Sequence, residues 1–323
     1  MRRKIKGIQV LLSTPMRDDG SLDYDSTFSL IEHVLQGGVD GIILLGSTGE
    51  FFSLSETERR EFAERAIADI AGRVPVGVCP GMAGTETTVE LARHAEGCGA
   101  DYLLVPIPFY FANTLAGIVD FYTRVAHSVS IPIMPYDGGG GNSLDPETWR
   151  RIIEENENVS LAKITVPFPP KIKWLHEQFD GRVAAFGGSD QTILLCLANG
   201  ARGLTVAGAN VVPQAFAQVW HLYSSGRRDE ARRVYYQGID PMNVIAVPAH
   251  TEFIQSYKQA LWWMGIIASP CARGPMMPLD EARQEELLAA LEIMGVQLLP
   301  ERVLTKTATV NTVLSVSPVS KTG

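Results

Sequence analysis

The sequence predicts an α/β protein, a (β/α)8 TIM barrel with a C-terminal helical extension. Three observations predict it. Short apolar, β-rich runs alternate with longer amphipathic stretches, the pattern of βα units on a parallel sheet. There are eight such runs, the number at which a parallel sheet closes on itself. Several are apolar at consecutive positions, as strands buried on both faces must be.

The first strand candidate, residues 7–14, carries Ile8, Val10, Leu11 and Leu12, and the second, 41–45, carries Ile42 to Leu45 without a break. The third, 74–79, offers Val74, Val76 and Val78; the fourth, 102–106, offers Tyr102, Leu103, Leu104 and Val105. The fifth (131–136), sixth (159–164), seventh (183–186) and eighth (203–207) follow at similar spacing. Between them the periodicity predicts helices over 26–36, 55–71, 85–96, 114–128, 146–155, 170–179 and 190–198. Ser55 followed by Glu58 is a capping box, and Asp145-Pro146 sets an N-cap beside a proline at the first helical position. Four more helical stretches come after the last strand: 213–224, 227–236, 251–264 and 280–294. They exceed what eight βα units need. The expected division is therefore a barrel over 1–212, a helical extension over 213–298 and a flexible tail over 299–323.

The chain has 323 residues, of which 46% are hydrophobic and 20% charged, so it has ample core and is neither disordered nor a disulfide scaffold. Its formal net charge of −8, with no basic stripe, is a poor match to nucleic acid, which draws affinity from Lys and Arg on phosphates. No apolar run after Met1-Arg2-Arg3-Lys4 is long enough for a signal peptide or a membrane span, so a cytoplasmic location and no membrane partner are expected. Cys79, Cys98, Cys196 and Cys271 lack CxxC spacing and are expected as reduced thiols. None of the six histidines forms a paired cluster, so no catalytic metal is expected.

In a barrel of this kind the active site lies at the C-terminal ends of the strands. The second strand ends in Gly46-Ser47-Thr48-Gly49-Glu50, two hydroxyls framed by glycines. Such a turn suits a carboxylate, although an ordinary βα turn uses the same residues for backbone freedom and capping. Lys163 stands in the apolar sixth strand, alone among the eight lysines in lying inside a central strand. Burial lowers the pKa of an amine, which is what attack on a carbonyl at neutral pH requires; the alternative is a buried stem with its head snorkelling out. Tyr136 ends the fifth strand, where a phenol beside that lysine could move protons, or simply sit as an amphipathic residue at the rim. The run Gly138 to Gly141 is no phosphate loop, since no GK[ST] follows.

These motifs, in order and at these spacings, resemble the pyruvate-dependent class I aldolase superfamily of dihydrodipicolinate synthase and N-acetylneuraminate lyase. The resemblance runs from about Gly7 to Leu279. It is carried by Ser13-Thr14-Pro15, Gly46-Ser47-Thr48-Gly49-Glu50, Pro108-Phe109-Tyr110, Tyr136, Lys163, Gly187-Gly188-Ser189-Asp190, Ala209-Asn210 and Lys258-Gln259-Ala260-Leu261. It implies a homotetramer built from tight dimers, and no cofactor beyond a covalent lysine imine. Lys163 would form the Schiff base with pyruvate or another 2-oxo acid, Tyr136 would carry protons, and Ser47 and Thr48 would bind the substrate carboxylate and relay protons, Ser47 counting as catalytic with Lys163, Tyr136 and Tyr110. Tyr110 matches the tyrosine that crosses the dimer interface in the synthases. Gly188, Ser189, Asp190 and Thr205 would complete the substrate contacts.

The departures bear on the substrate. In the synthases the loop after the catalytic tyrosine carries an arginine for the distal carboxylate of aspartate semialdehyde; here that stretch is Gly138 to Gly141, then Asn142. An unpaired buried charge costs about 2–5 kcal/mol. Asp137, where the synthases commonly have Asn, is expected to add negative charge beside the site. Ser47-Thr48 resembles the sialic acid lyases and Gly49-Glu50-Phe51-Phe52-Ser53-Leu54 the ketodeoxyglucarate dehydratases. The expected function is a pyruvate-releasing or pyruvate-consuming lyase that is not a dihydrodipicolinate synthase. The alternatives are a 2-keto-3-deoxy sugar acid dehydratase using the same imine, or a barrel that only binds a 2-oxo acid.

Overall fold

Eight parallel strands close into a barrel in sequence order: β1 (Gly7–Leu11), β2 (Gly41–Leu44), β3 (Val76–Val78), β4 (Tyr102–Pro106), β5 (Ile133–Asp137), β6 (Leu161–Ile164), β7 (Ala184–Gly187) and β8 (Gly203–Val206). The last pairs back onto the first, Ile8 opposite Leu204 and Val10 opposite Val206. The computed structural model describes residues 4–138, 142–166, 168–246 and 252–303. Inward side chains fill the barrel and outward ones meet helices, so almost every strand residue is buried. Large residues inside are matched by absent ones. A Cβ on Gly77 would lie 2.5 Å from the Tyr102 ring, and one on Gly203 would lie 2.2 Å from the Gly7 carbonyl. Tyr102 spends its hydroxyl on Gln9 Oε1, 3.0 Å away, so this buried phenol is not left unpaired.

The helices between strands are α1 (Tyr24–Gln36), α2 (Glu56–Ile70), α3 (Thr85–Gly97), α4 (Leu115–Ser128), α5 (Pro146–Glu155), α6 (Pro170–Gln178) and α7 (Ile193–Ala198). Their starts follow the sequence chemistry. Ser55 and Glu58 form the capping box of α2 in both directions, and Asp145 caps α5 ahead of Pro146. On α5, Trp149, Ile152 and Ile153 are fully buried while Arg150 and Arg151 pair with glutamates one turn away, so one face packs and the other stays wet. The stretch predicted as one helix over 190–198 starts as a 3-10 turn over Asp190–Thr192.

Beyond β8 lie α8 (Pro213–Ser224), α9 (Arg228–Gly238), α10 (Asp240–Ala246), α11 (Glu252–Trp263) and α12 (Glu281–Ile293). Helix α8 packs on β1 as well as α9, which gives it the position of the barrel's eighth helix. Helix α10, absent from the sequence expectation, packs between α9, α11 and α12. Residues 299–303 are tied down, Leu299 N–H to Trp263 O at 2.8 Å and Arg302 to Trp262 O and Ile267 O. Residues 304–323, the rest of the expected tail, lie outside the described residues. Among the described residues no helix is long and apolar enough to cross a membrane.

Candidate active site

The C-terminal mouth of the barrel opens into a cavity of about 270 Å³. Lys163 reaches it from β6 with only 2% of its surface exposed. Parallel pairing sets Lys163 opposite Tyr136 on β5, and Nζ lies over that ring, 3.8 Å from its centroid. The ring's negative face attracts the amine, and the Asp190 carboxylate across the cavity acts on it through the electrostatic field without a direct bond. Among the described residues no carboxylate pairs with Lys163 and no hydrogen bond takes its Nζ. Gly188, at the end of β7, leaves the lysine its space: a Cβ there would fall 2.8 Å from Lys163 Cε and 2.1 Å from Thr165 Oγ1.

Ser47 and Thr48 enter from the turn after β2. Gly49 N–H bonds back to Gly46 O and Glu50 N–H to Ser47 O. The turn therefore consumes its last two N–H groups and, among the described residues, leaves those of Ser47 and Thr48 and both hydroxyls without a protein partner. Four donors without a protein partner in one turn at a strand end can cradle an anion. Glu50 ends the turn in a left-handed conformation, φ 56°, fully buried. Its carboxylate is paired with the equally buried Lys258 of α11 and accepts from Arg273 N–H at 3.1 Å. Burial pulls the Lys258 pKa below its ordinary value, with Glu50 pulling the other way.

Ser189 and Asp190 line the cavity beyond Gly188. The Asp190 carboxylate accepts from Ala207 N–H (3.2 Å), Gly208 N–H (2.6 Å) and Tyr257 Oη (3.0 Å). Burial raises its pKa, and those three bonds and the Lys163 charge oppose the rise. Its backbone carbonyl accepts from Asn243 of α10. One residue thus joins the ends of β7 and β8 to the extension.

The structure brings Lys163, Tyr136, Ser47, Thr48, Gly188, Ser189 and Asp190 around one cavity. It does not bring Tyr110 or Thr205 there. Thr205 is fully buried and its hydroxyl donates to Gly187 O at 3.2 Å. Tyr110 stands on the surface, 86% exposed at φ 86°, its ring edge-on to the exposed Phe111. The expectation for Asp137 is corrected. Alternation along β5 turns it to the face opposite Tyr136, where it is fully buried, bonded to Trp149 Nε1 at 2.9 Å and paired with Lys171 Nζ at 2.7 Å. Its charge is neutralised behind the strand and adds nothing to the cavity. Gly139 to Gly141 lie outside the described residues.

Sequence reasoning missed Thr165, Phe253 and Tyr257, which also line the cavity. Thr165 carries a signal, since it sits two residues past Lys163 and so shares its face. Phe253 and Tyr257, four apart on α11, carry none: nothing local says that this helix lies over the mouth. Among the described residues one trio of metal-type donors lies within 4.8 Å, Glu64 on α2, His94 on α3 and Cys98 at the C-cap of α3, and none of the three lines the cavity. A buried amine with no directly paired carboxylate among the described residues, beside a phenol and an anion cradle, is equipped for imine chemistry on an anionic carbonyl compound.

Comparison with known proteins agrees. Residues 4–294 match the model of the Dihydrodipicolinate synthetase family. The chain is 32% identical to the 4-hydroxy-tetrahydrodipicolinate synthase of Chlorobium luteolum over 91% of this chain and 98% of that one. It is 30% identical to the putative 2-dehydro-3-deoxy-D-gluconate aldolase YagE of Escherichia coli K12, over 88% and 96%. The crystal structure of YagE in complex with pyruvate superposes with a TM-score of 0.85 at 28% identity, covering 90% and 99%. Family members are aldolase-type lyases that use a covalent lysine–pyruvate Schiff base and no external cofactor. Barrel, buried lysine and family model coincide along nearly the whole chain, which belongs to the dihydrodipicolinate synthetase family.

Proposed function

We propose that the chain is a class I aldolase that makes or breaks a carbon–carbon bond next to a pyruvate enamine, with a neutral, hydroxylated partner in place of aspartate semialdehyde. The cavity wall carries this. Among its described residues Lys163 is the sole Lys or Arg, and the sequence between β5 and α5 has no cationic side chain. A second carboxylate would meet Asp190, hydroxyls and aromatic rings, and would pay an unpaired-charge penalty of about 2–5 kcal/mol. A polyhydroxy chain would meet three hydroxyls: Ser189, able to donate and accept, and Thr165 and Tyr257, which already donate to Gly188 O and Asp190 and offer acceptor lone pairs.

Lys163 Nζ adds to C2 of pyruvate, and the carbinolamine loses water to give a protonated imine. The Tyr136 phenolate takes a C3 proton to give an enamine, the C–H bonding pair delocalising toward nitrogen, and the resulting phenol is the donor for the next step. The enamine C3 attacks an aldehyde, whose oxygen takes a proton from Tyr136, and hydrolysis frees the lysine. In the cleavage direction the same steps run backward, Tyr136 taking the C4 hydroxyl proton as the C3–C4 bond breaks. Ser47 and Thr48 hold the pyruvate carboxylate with their N–H and O–H groups. A homotetramer of tight dimers, with Tyr110 reaching the neighbouring site, fits that residue's exposure.

The test supplies pyruvate with either glyceraldehyde or aspartate semialdehyde and follows pyruvate consumption. Faster consumption with the neutral aldehyde is expected. Robust condensation with aspartate semialdehyde would contradict the proposal, as would water loss from a 3-deoxy-2-oxo sugar acid without carbon–carbon cleavage.

A further inference from the structure

Two opposite charges with no exposed surface stand behind the Ser47-Thr48 turn: Glu50 and Lys258. Burying such a pair is expensive, and well-packed apolar residues of similar volume usually serve stability as well or better. What an ion pair adds is fixed direction. Glu50 also holds a left-handed backbone that a side-chain-bearing residue adopts only when its surroundings impose it. The imposing contacts come from two parts of the extension. Lys258 Nζ bonds Cys271 O at 2.7 Å as well as Glu50, and Arg273 N–H bonds the second Glu50 oxygen. From the barrel side Thr14 Oγ1 donates to Gly49 O at 2.8 Å. Glu50 N–H bonds Ser47 O, whose peptide carries the Thr48 N–H, while Gly49 N–H and Phe51 N–H close on Gly46 O, whose peptide carries the Ser47 N–H, so the backbone on either side of Glu50 bears on where both donors point.

We infer that Glu50 and Lys258 are positioning residues that hold the Ser47-Thr48 turn in the shape that grips the carboxylate of the 2-oxo acid. This rests on the proposed role of that turn. Helix α11 then bears on the cavity twice: Lys258 acts on the Ser47-Thr48 turn through Glu50, while Phe253 and Tyr257 stand in the wall itself. Neither Glu50 nor Lys258 lines the cavity, so neither touches the reacting atoms.

The experiment traps imines with borohydride in the full-length protein, using pyruvate and, separately, acetone, a ketone without a carboxylate. Glu50→Gln and Lys258→Met are each expected to raise the half-saturating pyruvate concentration about tenfold or more, the loss typical of a charged hydrogen bond, and to leave acetone trapping unchanged. The double variant Glu50→Leu/Lys258→Met keeps the site packed and covers the case in which a single variant fails to fold; it too is expected to lose pyruvate selectively. A parallel fall for pyruvate and acetone in folded protein, or a native pyruvate response in the double variant, would overturn the inference. Ser47→Ala/Thr48→Val separates the two claims. An unchanged pyruvate response there would overturn the carboxylate role and the inference together. A weakened one there, beside a native response in the Glu50 and Lys258 variants, would overturn the inference alone.

Discussion

Gly188 is a residue whose missing side chain matters. The added methyl of Gly188→Ala would press on the Thr165 hydroxyl, 2.1 Å away, and on the Lys163 stem, 2.8 Å from Cε and 3.0 Å from Cγ. Overpacking of this kind costs about 1–3 kcal/mol, and here the strain falls on the amine. The variant is expected to trap pyruvate at least about tenfold more slowly while remaining folded; a native trapping rate would show that the lysine has room to spare. Lys163 itself is legible in the sequence because an ammonium in an apolar strand is costly enough to need a reason. Asp137 shows the opposite case. Its neighbour Tyr136 faces the cavity, and period-two alternation alone assigns the aspartate to the other face; its partner Lys171, on a helix that reads as solvated, is settled only by the tertiary packing.

At the level of elements, α2 is tied to the segment that follows α11 through Glu58. The carboxylate that completes the α2 capping box also pairs with Arg273, and that guanidinium holds the glutamate's pKa at about 2, below its ordinary 4.5. A depressed carboxylate pKa contributes stability that is complete above the unfolded value and is lost as pH falls through the folded one. Stability is therefore expected to fall between pH 4.5 and about 2, and Glu58→Gln to flatten that part of the curve, as read by urea unfolding at stepped pH. An unchanged slope in the variant would contradict the assignment. The capping box was legible because its chemistry is local, as was the cap at Asp145. Helix α10 was not: its seven residues offer no period, and what holds it is packing against three other helices.

For the molecule as a whole, counting strands settles the architecture, since eight buried parallel runs have one compact closure. The sequence leaves open which helix covers the mouth, because α11 is placed by long-range contacts such as Tyr257 with Asp190. Assembly lies at this scale too. Tyr110 is exposed beside Phe111, and if a second copy carries it into the neighbouring site, Tyr110→Phe should lower turnover and leave adduct formation intact; unchanged turnover would count against a shared site. A net charge of −8 is a poor match to a polyanion yet is compatible with the proposed small oxo acid, for which Ser47 and Thr48 would be the local donors against a distant, screened field. The most direct measurement on the whole enzyme is incubation with pyruvate and borohydride, followed by intact mass and peptide mapping. One reduced pyruvate adduct per chain, on Lys163, is the predicted result; no stable adduct, or one on any other lysine, would contradict the account.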